Sequence, residues 1–214
     1  MFQPTVPRTG FGRTLAMMEL IFHASVRHVR KSNGNAVIGL LISVVQSLVG
    51  IGIMVLMFTL IGRGVGTQVR GDFILYIMSG VFSFMTHSKT IRAVSSADGP
   101  TSAMMKHAPM NTIISISAAA LPALYLQTLS AAVILFGYHA LWTPITIDEP
   151  VGVAAMYLLS WSSGIGIGLI FKALTPWAPD FFGVLTTAYS RANMVFSGKM
   201  FVANAMPARI RGWF

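Results

Sequence analysis

The sequence predicts an all-α protein built within a lipid bilayer, and three observations predict it. Of its 214 residues, 54% are hydrophobic and only 10% are charged, whereas soluble domains carry about 25% charged residues. The charged residues are separated by long neutral runs, the first of which extends from Ser32 to Gly62. A helix needs about 20 residues to cross the hydrocarbon layer. We therefore expect a polytopic helical membrane protein with five transmembrane helices and an N-terminal amphipathic interfacial helix.

The first 35 residues are expected to form a cytoplasmic segment that contains the amphipathic helix, over Phe11 to Lys31. Apolar residues recur there at three- and four-residue steps, at Leu15, Met18, Phe22, Val26 and Val29. Basic side chains favour the other faces, at Arg13, His23, Arg27, Arg30 and Lys31. This pattern is typical of a helix lying in the membrane surface. It either anchors the chain or contacts a cytoplasmic partner.

The neutral runs predict five spans within a transmembrane domain of residues 36–214, at about 36–61, 73–92, 112–136, 151–171 and 181–203. The second run is short, and it crosses only if Lys89 and Arg92 at its end extend towards the interface. The fifth run is interrupted by Arg191 and Lys199.

The distribution of positive charge predicts the orientation. With the N-terminus inside, nine positive residues are cytoplasmic: Arg8, Arg13, Arg27, Arg30, Lys31, Lys89, Arg92, Lys106 and Lys172. Four are external: Arg63, Arg70, Arg209 and Arg211. Because cytoplasmic loops carry the excess of Lys and Arg, we expect a cytoplasmic N-terminus in an inner membrane. The net charge of +9 is explained in this way, and we expect no nucleic-acid partner.

Small residues recur at helical spacing in two spans. Gly164 and Gly168 lie in the string SSGIGIGLIF, and Gly39, Ser43 and Ser47 lie in the first span. A nucleotide-binding glycine motif needs a preceding strand, whereas these glycines lie inside an apolar run. We interpret both sets as faces for close helix packing.

The loop from Ser95 to Met110 is cytoplasmic in this topology. Asp98 can cap a short helix with Pro100 in its first turn, and Pro109 ends it. Such a helix on the cytoplasmic face is typical of a docking element for a partner, and equally of a simple connection.

Arg191 is the most conspicuous single residue. It lies about 15 Å from Phe181 along the fifth span, close to the bilayer midplane. All six acidic residues lie outside the predicted spans, so we expect Arg191 to face water, backbone carbonyls or an anionic substrate. The alternative is that the span begins later and Arg191 extends to the interface. Ser197 and Gly198 predict a helix break before Lys199.

The sequence carries no catalytic constellation. There is no cysteine, no paired carboxylates within a span, and no phosphate-binding loop with its lysine. The five histidines lack ligand spacing, so we expect no metal site. We expect neither an enzyme nor a bound cofactor, and any ATP would be hydrolysed by another subunit.

The order of these features resembles the permease subunits of ABC type-2 transporters that export capsular polysaccharide and O-antigen. The resemblance rests on Pro179-Asp180, then Arg191, then Ser197-Gly198, then Pro207 nine residues after that glycine. The run GIGIGLIF is similar to the family's fourth span, and Gly99 to Pro109 is similar to the segment that docks on the ATPase. Residues 33–43 read NGNAVIGLLIS, in place of the family's aromatic-rich stretch. The family continues into a sixth span, which is expected beyond Phe214.

The resemblance implies a homodimer that exports a lipid-linked glycan, driven by a cytoplasmic ATP-binding cassette subunit. The pathway would involve Arg191, Ser197, Gly198 and Lys199. The ATPase would dock on two loops that contain Asp98, Gly99, Pro100, Lys106, Pro109, Pro179 and Asp180. Two alternatives remain open: export of another amphiphile, such as a teichoic-acid-like polymer or a drug, and a non-transporting membrane scaffold.

Overall fold

The computed structural model describes residues 10–61, 72–99 and 111–196, and every secondary-structure element in these ranges is an α-helix. The six helices are α1 (Gly10–Asn33), α2 (Ala36–Ile61), α3 (Phe73–Ser95), α4 (Thr112–Leu141), α5 (Pro150–Leu174) and α6 (Pro179–Phe196). The all-α prediction is confirmed, and a helix occupies each expected span position. Residues 197–203 of the fifth expected span lie outside the described ranges.

Three helices are long and apolar enough to cross a membrane: α2 over Ala36–Leu60, α4 over Thr112–Leu141 and α5 over Pro150–Leu174. They identify the chain as a membrane protein. The two other helices at expected span positions, α3 and α6, do not meet this measure in their described residues. In α3 the reason is its content of polar side chains, which include His87, Lys89 and Arg92.

Local sequence sets the boundary between α1 and α2. Gly34 adopts φ 69°, a left-handed conformation that residues with a side chain rarely take. The side chain of Asn35 then accepts a hydrogen bond from the backbone N–H of Val37 at 3.2 Å, and so caps the first turn of α2. These two residues turn the chain out of α1 and start the first long apolar helix.

Helices α2, α3 and α4 enclose the larger of two hydrophobic cores. Its buried members come from all three helices: Ile51, Met54, Phe58, Ile77, Met78, Val81, Phe82, Ala131 and Ile134. Side-chain pairs fix the directions, because Ser47 contacts Met85 and Ser43 contacts Lys89, so that rising numbers on α2 meet falling numbers on α3. Helices α2 and α3 are therefore antiparallel neighbours.

Helices α3 and α5 form the most extensive helix contact in the described chain, and they run in the same direction. A Cβ added at Gly164 would lie 2.8 Å from the carbonyl oxygen of His87, and one added at Gly168 would lie 2.8 Å from Cβ of Val94. Both glycines are buried. Because neither carries a Cβ, the two backbones approach more closely than larger residues would allow.

Helix α1 packs on α4 through an apolar face that the periodicity did not single out. Ala24 is buried against Ile114 and Ala118, with Met17, Leu20 and Ile21 beside them. The predicted interfacial stripe lies on another side of α1 and is exposed, at Leu15, Met18, Phe22 and Val26. Helix α1 thus has two apolar faces, one packed on the bundle and one that the described residues leave exposed.

Candidate functional site

Five polar side chains line the contacts of α2 with α3 and α4 in two hydrogen-bonded groups, which together we call the polar seam: Ser43, Ser47, Lys89, Gln127 and Ser130. Gln127 Nε2 donates to Ser47 Oγ at 3.1 Å, and Ser130 Oγ donates to the same oxygen at 3.5 Å. Lys89 Nζ donates to Ser43 Oγ at 3.1 Å, one helical turn away on α2. Ser47, Gln127 and Ser130 are fully buried. The Ser47–Gln127–Ser130 part of the seam therefore lies in the bundle interior.

The seam retains unused hydrogen-bonding capacity. The side-chain oxygen of Gln127 is buried and accepts no hydrogen bond within the described residues. An unpaired buried acceptor costs about 1–3 kcal/mol. Its position in the middle of α4, about 22 Å from the start of the helix, makes it a ready acceptor for a further donor inside the bundle.

Lys89, which the sequence predicts to extend towards the interface, is half-buried and turns towards Ser43. The physical reason is that α2 lies directly beside this face of α3, where Ser43 accepts a hydrogen bond from Lys89. Arg92, one turn further along α3, is exposed.

No carboxylate side chain forms an ion pair with the described cations of the predicted spans. All six acidic side chains of the sequence lie in the described residues. The one ion pair found there joins Glu19 to His23, both on α1. Lys89, Arg92 and Arg191 consequently have no acidic side chain as an ion-pair partner.

His87 connects three helices. Its Nδ1 lies 3.0 Å from Ser163 Oγ and 3.2 Å from the carbonyl oxygen of Ser160, both on α5. Its Nε2 lies 3.2 Å from Tyr189 Oη on α6. The ring of Tyr189 also packs edge-on against Phe171 of α5. His87 and Tyr189 therefore hold the inner face of α6 against the bundle.

Arg191 lies on the side of α6 that faces away from the bundle. It is exposed, and two residues of helix rotate it by about 200° from the inward-facing Tyr189. Thr187, one turn earlier, and Asp180 at the start of α6 lie on the same outward side and are exposed. We call this surface the outward face of α6, and it is defined by Asp180, Thr187 and Arg191. Its polar side chains are separated by apolar residues of the same helix.

The first residues after α3 are held to α4 and α5. Lys172 Nζ donates to the carbonyl oxygen of Ala97, and Ser115 Oγ donates to that of Asp98 at 3.0 Å. Gly99 follows, with open space around its Cα. Pro179 and Asp180 are exposed at the start of α6, a short turn after α5. Both segments expected to dock a partner therefore leave the bundle at the same end.

A different contact closes the opposite end. Asp72 caps α3 by accepting a hydrogen bond from the N–H of Ile74 at 2.9 Å, and it also accepts one from the hydroxyl of Tyr138 on α4. The hydrogen bond from Tyr138 lowers the pKa of Asp72 below its ordinary value, with help from the backbone N–H groups of Ile74 and Leu75. The cap keeps the start of α3 beside the end of α4.

Six residues expected at functional sites lie outside the described ranges: Pro100, Lys106, Pro109, Ser197, Gly198 and Lys199. Of the packing residues expected on α2, Gly39 is buried, while Ser43 and Ser47 are hydrogen-bonding members of the polar seam. Sequence reasoning missed His87, Lys89 as a seam residue, and Gln127. The signal for Gln127 is a lone amide within a long apolar run.

No group of three or more His, Cys, Asp or Glu residues converges in the described ranges. The arrangement offers hydrogen bonds and positive charge within a membrane bundle. Comparison of the chain with protein-family models, with curated proteins and with solved structures found no match.

Proposed function

We propose that the chain is the membrane-spanning subunit of an ATP-driven exporter, in which two copies form a path for a lipid-linked glycan across a bacterial inner membrane. ATP would be hydrolysed by a separate cytoplasmic ATP-binding cassette subunit. The proposal has two parts, a bundle that crosses the membrane five times and a polar pathway along α6.

The five-span arrangement is supported by the packing of α3. This helix of 23 residues is about 35 Å long, and it lies against α2, α4 and α5, the three helices that are apolar enough to span. The buried hydroxyls of Thr86 and Thr90 hydrogen-bond carbonyl oxygens one turn earlier on α3, and the half-buried His87 has partners on α5 and α6. Polar groups are tolerated in a spanning helix when they face other helices.

The observation that carries the transport proposal is the outward direction of Arg191. It lies about 18 Å along α6 from Pro179, near the middle of a hydrocarbon layer about 30 Å thick. A charged side chain at the centre of a spanning helix costs about 2.5–3.5 kcal/mol in lipid. A water-filled path between two copies removes that cost and gives the guanidinium an anionic ligand to bind.

The position of the docking segments agrees with this assignment. The residues after α3 and the turn before α6 leave the bundle at one end. The positive-inside distribution of the sequence favours the cytoplasm for that end. A partner bound there would contact the connection that leads directly into α6, and hence into the helix that carries Arg191.

The test is reconstitution in nanodiscs with the ATP-binding cassette subunit encoded beside this chain. We expect the two subunits to co-purify, and a lipid-linked glycan to increase the rate of ATP hydrolysis. A glycan without its lipid should give less stimulation. Failure of the ATPase to co-purify with the full-length protein would overturn the exporter assignment, and stimulation by another amphiphile alone would change the substrate class.

A further inference from the structure

We propose that the groove between α2 and α3 binds the phosphate of an anionic phospholipid, held by Lys89 and Arg92. The inference rests on the proposed membrane crossing of α3, and it requires neither transport nor an ATPase. Its starting point is that these two cations are one turn apart on α3 and have no carboxylate partner.

The two cations lie on the stripe of α3 that faces α2. Ser43 accepts from Lys89, and a Cβ added at Gly50 would lie 3.1 Å from Met85 Cε, so both positions of α2 lie against α3. Arg92 is one turn from Lys89 on the same side of α3 and is exposed. The groove therefore offers an ammonium and a guanidinium to a group that approaches from the lipid.

The depth of the two cations matches a phospholipid headgroup. The pairing of Ser43 with Lys89 places the end of α3, Ser95, near the start of α2. Lys89 is then about 9 Å, and Arg92 about 4.5 Å, from the end of α3. Helix α2 has 26 residues and is about 39 Å long, which exceeds the hydrocarbon thickness by about 9 Å. Arg92 thus lies at the edge of the hydrocarbon and Lys89 just inside it.

The chemistry favours a lipid phosphate over a neutral headgroup. A phosphate accepts charge-assisted hydrogen bonds from both cations, and basic pockets between transmembrane helices bind anionic headgroups in this manner. The acyl chains of the same lipid would lie along the exposed apolar side of α2, at Ile42, Val45 and Val49. A free phosphate would gain only the polar part of this contact.

The test is native mass spectrometry of the purified protein in detergent, titrated with phosphatidylglycerol or with phosphatidylcholine of the same acyl chains. We expect one phosphatidylglycerol to bind in preference to phosphatidylcholine. Arg92→Gln should weaken its binding about fivefold, and Lys89→Gln with Arg92→Gln roughly 30-fold. Lys89→Arg should retain binding, because it keeps the charge.

Arg27→Gln is the matched control, since it removes one exposed charge from α1 and leaves the groove intact. Equal binding of the two lipids would overturn the proposal, as would a loss in the control variant as large as that in Arg92→Gln. Displacement of the lipid by millimolar inorganic phosphate would show that the site takes free phosphate instead. If the variant with both substitutions does not fold, Arg92→Gln decides alone, because Arg92 is on the surface. None of these outcomes bears on the exporter assignment.

Discussion

Two cations on the bundle helices, Lys89 and Arg191, are placed in opposite ways. Lys89 turns into the groove beside α2 and donates to Ser43, whereas Arg191 faces away from all other described helices. Both lack an acidic ion-pair partner. Within a bilayer, each therefore needs water, backbone or an anion around it. Because of this difference in direction, Lys89 lies at the lipid boundary of one subunit. Arg191 instead faces the surroundings of α6, outside the described bundle.

Replacement of Arg191 by Ala tests the pathway at this scale. If the guanidinium binds the anionic part of the substrate, its loss should reduce transport roughly tenfold or more, the effect of removing a charge-assisted hydrogen bond. Expression and co-purification of the ATPase should be unchanged, because Arg191 contacts no other described helix. The measurement is glycan-stimulated transport in proteoliposomes, with Arg191→Lys expected to retain part of the activity. Wild-type transport in Arg191→Ala would remove this residue from the pathway.

At the scale of elements, the bundle depends on close backbone approach between α3 and α5. Gly164 and Gly168 lie four residues apart on α5 and contact successive turns of α3. Beside them, Ser160 Oγ donates to the carbonyl oxygen of Ser83 at 2.6 Å, and Thr86 Oγ1 donates to Tyr157 Oη at 2.9 Å. The small residues allow these polar contacts to form, since a wider separation would break them.

Gly164→Ala should therefore destabilise the protein. The added Cβ would lie 2.8 Å from the carbonyl oxygen of His87, a backbone atom that cannot move aside alone. We expect a loss of about 1–3 kcal/mol, typical of overpacking, measured as a lower thermal unfolding midpoint in detergent. Gly166→Ala is the control, because open space surrounds Gly166 on the same helix. Equal midpoints for the two variants would contradict a tight α3–α5 contact.

The helices themselves could be predicted from the sequence, because charged residues, Pro and Gly interrupt the apolar runs where helices end. Ala36, Phe73 and Thr112 were expected as starts, and the structure begins helices there. Partners across helices could not be predicted. Gln127 and Ser47 are 80 residues apart, and periodicity states only which residues share a face. For the same reason the α4-facing side of α1 and the hydrogen bond from Lys89 to Ser43 were missed.

At the scale of the whole molecule, the relative directions of the helices are consistent. Helices α2 and α4 are parallel, because both are antiparallel to α3: Ser115 at the start of α4 contacts Asp98 after α3, and Tyr138 near the end of α4 contacts Asp72 before α3. Helices α3 and α5 are parallel to each other and antiparallel to α2. This alternation follows if every helix from α2 to α5 crosses the bundle from end to end and each connection between them stays at one end. It supports the proposed crossing of α3 alongside the three more apolar helices.

The same alternation predicts which segments share a side of the membrane. The turn at Asn35 and the residues after α3 should be cytoplasmic, and Asp72 and the α4–α5 connection at Asp148 should be external.

The sequence contains no cysteine, so single cysteine substitutions can be labelled without background. In intact spheroplasts, a membrane-impermeant maleimide should label Asp148→Cys and not Asn35→Cys, whereas both should react after permeabilisation. Both positions are exposed, so the membrane decides the difference. Labelling of Asn35→Cys alone would invert the orientation, and labelling of both would contradict the crossings, because an odd number of spans, α2 to α4, separates the two positions.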